Sequence, residues 1–177
     1  KGISKIYQRS EDLIVVIENK SLNMVKTALI GGADPNYLSF TGKRPLVVAA
    51  HVGSTEIVEE LIRYGADPEL ADSEGVFPIF ETIKHNNLGS LKAILEKTKN
   101  INILNADRES TLVTSLTKSN QTMSNILINA GVDIKIKDKN GRRPIEIARS
   151  KGLKKTLALL IDVTKIEKKG LDSSFIL

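Results

Sequence analysis

The 177-residue chain contains no cysteine and no tryptophan. Without cysteine there are no disulfides, no thiolate nucleophile and no thiolate metal ligand, and the redox compartment stays undecided. Histidine is nearly absent too, with His51 and His85 alone. A structural zinc site wants three or four ligands from Cys, His and carboxylate, and no spacing along the chain clusters them. No apolar run approaches the roughly 18 residues of a membrane helix. Gly-X-Ser-X-Gly is missing, as is a glycine-rich phosphate loop after a strand. Aromatic residues make up only 4% of the chain. These absences leave no catalytic constellation, no metal ligand set and no cofactor motif, so a non-enzymatic protein is expected.

What is present is a repeat. Gly32-Ala33-Asp34-Pro35 returns as Gly65-Ala66-Asp67-Pro68, 33 residues on, and more loosely as Gly131-Val132-Asp133. A second landmark, Gly42-Lys43-Arg44-Pro45-Leu46, returns as Gly75-Val76-Phe77-Pro78-Ile79 and as Gly141-Arg142-Arg143-Pro144-Ile145. The copies due near 98 and 108 are degenerate, Thr98-Lys99-Asn100 and Arg108-Glu109-Ser110-Thr111-Leu112. A fixed period of this length marks stacked supersecondary units.

Each repeat reads as two short helices. Proline suits a first helical position, where its missing N–H has no partner to lose. Gly53 and Gly152 suit the left-handed turn that ends the first helix. The second helix is expected to bury Ile57, Val58, Leu61 and Ile62. Its counterparts are Met24, Val25, Ala28 and Leu29, then Leu91, Ile94 and Leu95, then Met123, Leu127 and Ile128, then Leu157, Leu160 and Ile161. Asp34, Asp67 and Asp133 read as turn formers that bond their local backbone rather than as an acid/base set. Helices this short are not stable alone and must stack on neighbours.

Gly42-Lys43-Arg44-Pro45-Leu46-Val47-Val48-Ala49-Ala50, followed by Gly53-Ser54-Thr55-Glu56-Ile57-Val58-Glu59-Glu60-Leu61-Ile62 and Gly65-Ala66-Asp67, resembles the ankyrin repeat. The resemblance covers nearly the whole chain, in five units at about 9–41, 42–74, 75–107, 108–140 and 141–164, the first and fourth degenerate. It implies an all-α solenoid of stacked helix–turn–helix units with protruding β-hairpin loops. A single repeat domain is expected over 1–164. The tail 165–177 is expected to fold back over the last unit, with Phe175-Ile176-Leu177 as an alternative PDZ-type ligand. The family's capping Thr is replaced by Arg44, Phe77 and Arg143, and only Ser110 can still cap. Ser10 or Asp12 is expected to cap the first helix.

The resemblance also implies a non-catalytic scaffold that binds another protein through hairpin tips and the concave face of the first helices. The positions so marked are Phe40, Lys43, His51, Val52, Tyr64, Val76, Lys84 and His85, with the two histidines as groove-lining surface residues. A different class of partner is suggested by charge. Residues 135–170 hold 12 Lys/Arg against 4 Asp/Glu, and a basic end suits nucleic acid or an anionic membrane surface. Lys139, Arg142, Arg143, Lys151, Lys154 and Lys155 would carry it, although no aromatics interleave them for stacking on single strands. A third reading is the targeting domain of a larger protein. A monomer is expected, in the cytoplasm ahead of secreted or periplasmic settings, which the start at Lys1 leaves open.

In a quasi-one-dimensional stack, a degenerate internal unit weakens the coupling on both its sides. Hydrogen exchange is therefore expected to show residues 108–130 as the first internal stretch to open; finding those amides among the best protected would refute this.

Overall fold

Pro45, Pro78 and Pro144 each occupy the first position of a helix, as their missing N–H favours. The computed structural model describes residues 2–174, with side chains from 5 to 171. These form two compact bodies, Lys1–Ala106 and Asp107–Leu177. The first holds α1 (Gly2–Glu18), α2 (Leu22–Ile30), α3 (Pro45–Val52), α4 (Thr55–Arg63), α5 (Pro78–Lys84) and α6 (Leu88–Lys97). The second holds α7 (Thr111–Thr117), α8 (Gln121–Asn129), α9 (Pro144–Ser150) and α10 (Lys154–Ser174). Among the described residues there is no strand beyond isolated bridge residues at Leu104 and Ser110. The expected β-hairpins are therefore tight turns. In the first, Ser39 N donates to Lys43 O and Gly42 N to Ser39 O; Asp72–Val76 and Asp138–Arg142 repeat the pattern.

The backbone keeps the 33-residue period even where the sequence loses it. Left-handed residues stand at Lys20, Gly53, Asn86, Ser119 and Gly152, where each first helix gives way to its second. A second series, Gly42, Gly75, Arg108 and Gly141, marks the turn before a first helix. Asx turns form a third: Asp34 Oδ1 accepts from Asn36 N, Asp67 from Glu69 N, Asn100 from Asn102 N and Asp133 from Lys135 N. The aspartates are thus turn formers.

In the first body, every residue of α3 from Pro45 to Ala50 is buried, and Ala49 and Ala50 are fully so, which lets α1 and α5 pack on either side. Ile57, Val58 and Leu61 of α4, with Leu91 and Ile94 of α6, complete the core. Met24 does not join them: it is 56% exposed, because α2 turns Val25 and Leu29 inward and Met24 lies about 100° away on the helix. Ser10 and Asp12 do not cap the first helix. That helix starts at Gly2, and Ser10, fully buried inside it, bonds Ile6 O and accepts from Asp34 N (3.0 Å). Neighbouring turns are tied by side chains. Asn36 donates to Gly65 O and accepts from Asp67 N, and Glu69 accepts from Lys99 N and Asn100 N.

In the second body Ser110 does cap α7, accepting from Val113 N (3.2 Å). Thr111 sits where the other repeats place proline, and its Oγ1 is buried without a hydrogen-bond partner. Ser115 and Ser124 join α7 to α8 through their hydroxyls (2.8 Å). Thr156 Oγ1 donates to Asn125 Oδ1 (2.7 Å), joining α10 to α8. The inward face of α10 starts at Thr156 and Leu160, with Leu153 just before it, while Ile161 points outward, contrary to the expected Leu157, Leu160 and Ile161 face. Residues 165–174 continue α10 with Ile166 and Leu171 exposed. Glu167 in this stretch pairs with Lys135 (3.0 Å), and Phe175-Ile176-Leu177 lies outside the described residues.

Arg108 holds a left-handed conformation (φ 60°) that its counterparts give to glycine. A side chain there costs about 1–2 kcal/mol, and glycine's larger unfolded-state entropy returns about 0.5–1 kcal/mol. Arg108→Gly is expected to stabilise the chain by about 0.5–1 kcal/mol in urea unfolding; a loss of stability would contradict this account.

Candidate functional site

Of the marked positions, Lys43, His51 and Val52 line one open groove of the first body. It is about 310 Å³ in volume, and its walls include Glu18, Lys43, His51, Val52, Asp72 and Glu74. Two successive turns form its rim. Ser73 N donates to Gly42 O (3.0 Å), and a Cβ on Gly42 would fall 1.8 Å from Ser73 Oγ, so that turn has room for glycine alone. Lys43 pairs with Glu18 at the end of α1. Val76 lies at the base of the second turn, its N–H bonded to Asp72 Oδ1. Beside the groove, Phe40 is 88% exposed. Its backbone is nevertheless held, because Glu11 Oε1 accepts from Phe40 N (2.8 Å) and from the Tyr37 hydroxyl (3.0 Å).

The two histidines meet at the groove. His51 closes α3 and His85 follows α5, one repeat later. His85 Nε2 lies 3.3 Å from His51 Nδ1, with the rings edge to face. Between them stands Glu81, whose Oε2 is 2.9 Å from His51 Nδ1 and 3.2 Å from His85 Nε2. Its side chain is only 9% exposed, against 58% for His51 and 35% for His85. Lys84 Nζ sits 3.8 Å from the other oxygen, Glu81 Oε1. Glu81 escapes a search for ligands close along the chain, because its partner His51 lies in the preceding repeat. The available signal was Glu81-X-X-X-His85, one helical turn apart, combined with a separation of His51 from His85 of one repeat.

Not all marked residues come together. Tyr64, 40% exposed, caps the far end of α4, about 13 Å along that nine-residue helix from the corner that holds Val52.

In the second body the basic cluster is partly neutralised. Arg142 Nε pairs with Asp138 (2.8 Å) and Arg143 with Glu146 (3.6 Å). Lys139, Lys151, Lys154 and Lys155 are exposed and have no carboxylate partner among the described residues. Burial would raise the Asp138 carboxyl, but the N–H groups of Arg142 and Asn140 and the Arg142 guanidinium outweigh it and hold it below the usual carboxylate range. The Arg143 N–H does the same for Glu146.

This all-α architecture of repeated helix pairs is a repeat solenoid, and comparison with known proteins places it. A family profile described as ankyrin repeats in three copies matches residues 13–105. The chain belongs to the ankyrin-repeat family. It is similar to regulatory protein SWI6 of Kluyveromyces lactis, 28% identical over 124 residues, which is 70% of this chain and 15% of that protein. It is similar to the B-cell lymphoma 3 protein homolog of Mus musculus, 25% identical over 129 residues, covering 72% and 29% of the two chains. Phosphocholine transferase AnkX of Legionella pneumophila is 26% identical over 166 residues, 91% of this chain and 17% of that protein. The chain thus spans less than a third of each. Ankyrin repeats are generally protein–protein interaction modules, typically on a non-enzymatic scaffold. No helix among the described residues is long and apolar enough to cross a membrane.

Because folding lowers the Asp138 pKa, its contribution to stability is present above the unfolded-state value and is lost as pH falls through the folded one. The Arg142 and Asn140 amides are therefore expected to lose hydrogen-exchange protection as the pH falls below about 4. In Asp138→Asn this dependence should shrink, leaving the part that Glu146 supplies; an unchanged profile would exclude Asp138 as its source.

Proposed function

We propose that this chain is a non-catalytic recognition module, acting as a monomer, that binds another protein over the groove of its first body with Phe40 as the aromatic anchor. One observation carries the reading: Phe40 presents nearly its whole ring to solvent while Glu11 fixes its backbone. Exposing an apolar ring gains nothing in folding, and pre-ordered aromatics are the usual energetic centres of protein interfaces. The groove beside it supplies mixed chemistry. Glu18, Asp72 and Glu74 are acidic, Lys43 is basic and Val52 is apolar. Val76, Lys84 and His85 extend this footprint, and Tyr64 forms a second, separate contact.

The relatives agree with this in kind. One of them is named a regulatory protein, and the transferase is six times longer than the stretch shared with it, which leaves ample chain for a catalytic part elsewhere. A second reading rests on Lys139, Lys151, Lys154 and Lys155, which have no carboxylate partner among the described residues and could meet phosphates of nucleic acid or an anionic membrane. Such binding would weaken steeply with salt.

Affinity capture with mass spectrometry, comparing the chain with its Phe40→Ala/Tyr64→Ala variant, tests the first reading. Loss of a hot-spot aromatic costs 2 kcal/mol or more, so partner recovery should fall by about 30-fold or more. Equal recovery would remove the reading. A titration of both proteins with duplex DNA at two salt concentrations separates the second.

A further inference from the structure

We propose that His51, Glu81 and His85 form a binding site for a divalent transition-metal ion of the zinc type. The donor atoms are His51 Nδ1, His85 Nε2 and Glu81 Oε2, and they stand at the corners of a triangle with sides of 2.9, 3.2 and 3.3 Å. A tetrahedral ion with bonds of about 2.0–2.1 Å to nitrogen and oxygen holds its ligands about 3.3 Å apart. The three atoms therefore need to move by only a few tenths of an ångström to bind one.

The chemistry of the set selects the ion. Two imidazole nitrogens are borderline donors that, beside one hard carboxylate oxygen, favour zinc, nickel and copper over magnesium or calcium, which prefer oxygen alone. Three protein ligands on a surface leave the fourth position to water. The partial exposure of both histidines gives the ion a way in.

The scaffold holds the ligands in place. Glu81 and His85 are four residues apart, so α5 and its end carry both on one face. His51 comes from α3, which packs directly on α5. The buried Glu81 carboxylate keeps a fixed position, and Lys84 lies toward Oε1, leaving Oε2 to face the imidazoles. The positive charge of Lys84 opposes a cation and lowers the affinity without closing the site. In the metal-free protein His51 Nδ1 hydrogen-bonds to Glu81 Oε2 and His85 Nε2 to His51 Nδ1.

The test uses the tag-free chain, stripped with a chelator and titrated with zinc chloride in a calorimeter at neutral pH. One ion per chain is expected. His51→Ala and His85→Ala should each weaken binding by about tenfold or more, since each removes one of three ligands. Both side chains are exposed enough for these variants to fold, which circular dichroism checks; Glu81→Gln is left out because that group is buried. Cobalt in place of zinc should give the visible absorption of a four-coordinate ion, and excess magnesium should not displace it. Absence of saturable zinc binding up to about 1 mM, a level weaker than any useful site, would overturn the proposal. So would equal affinity in the His51→Ala/His85→Ala double variant, or displacement by magnesium.

Discussion

A left-handed residue every 33 positions is the constraint on which this structure hangs. At Lys20, Gly53, Asn86, Ser119 and Gly152 the chain must reverse between the first and second helices of a repeat, and it does so with the same backbone conformation whatever the side chain. Helices of seven to ten residues cannot sustain themselves in water. Within each body, each survives because this reversal lays it against its partner and against the matching helix of a neighbouring repeat. Where glycine is missing, lysine, asparagine and serine adopt the conformation at a cost that packing offsets. The geometry of the repeat is therefore more regular than its sequence.

How much could be read from the residues follows from this. Proline at 45, 78 and 144 and the Asp-containing turns announce themselves, because the chemistry of one residue dictates the local backbone. Ser110 is legible as a cap for the same reason. Features that depend on where a neighbouring repeat lies are not. Met24 shares the apolar character of Val25 and Leu29, yet only packing decides which of the three faces outward. Ser10 has the composition of a cap, but the helix runs back to Gly2 and makes it a buried strut for the Asp34 turn. The hairpins shrink to turns because a two-bond reversal already satisfies the backbone at Ser39–Lys43.

The candidate site shows the same division. Phe40 and the groove positions Lys43, His51 and Val52 follow from the repeat grid, which marks what the scaffold leaves free. Tyr64 is also free but stands at the opposite end of α4. Glu81 was hidden by its own burial: a carboxylate on the inner helix, in a repeat without a motif to flag it, has meaning only once His51 of the preceding repeat is set beside it. In a repeating scaffold, residues about one period apart are neighbours, so clusters are better sought across periods than along the chain.

The side chains that bridge successive Asx turns of the first body run one way, whereas at the reversals between paired helices Asn87 Nδ2 donates back to Gly53 O. Asn36 serves Gly65 and Asp67, and Glu69 serves Lys99 and Asn100. The Asx turns at Gly65–Asp67 and Lys99–Asn100 are each finished by the one before, so this series has a polarity. Cutting it from the front strands amides that were paired, whereas cutting it from the back frees only a side chain that water readily solvates. These turns are thus a row of dominoes that lean in a single direction, and losing the first of them is not equivalent to losing the last.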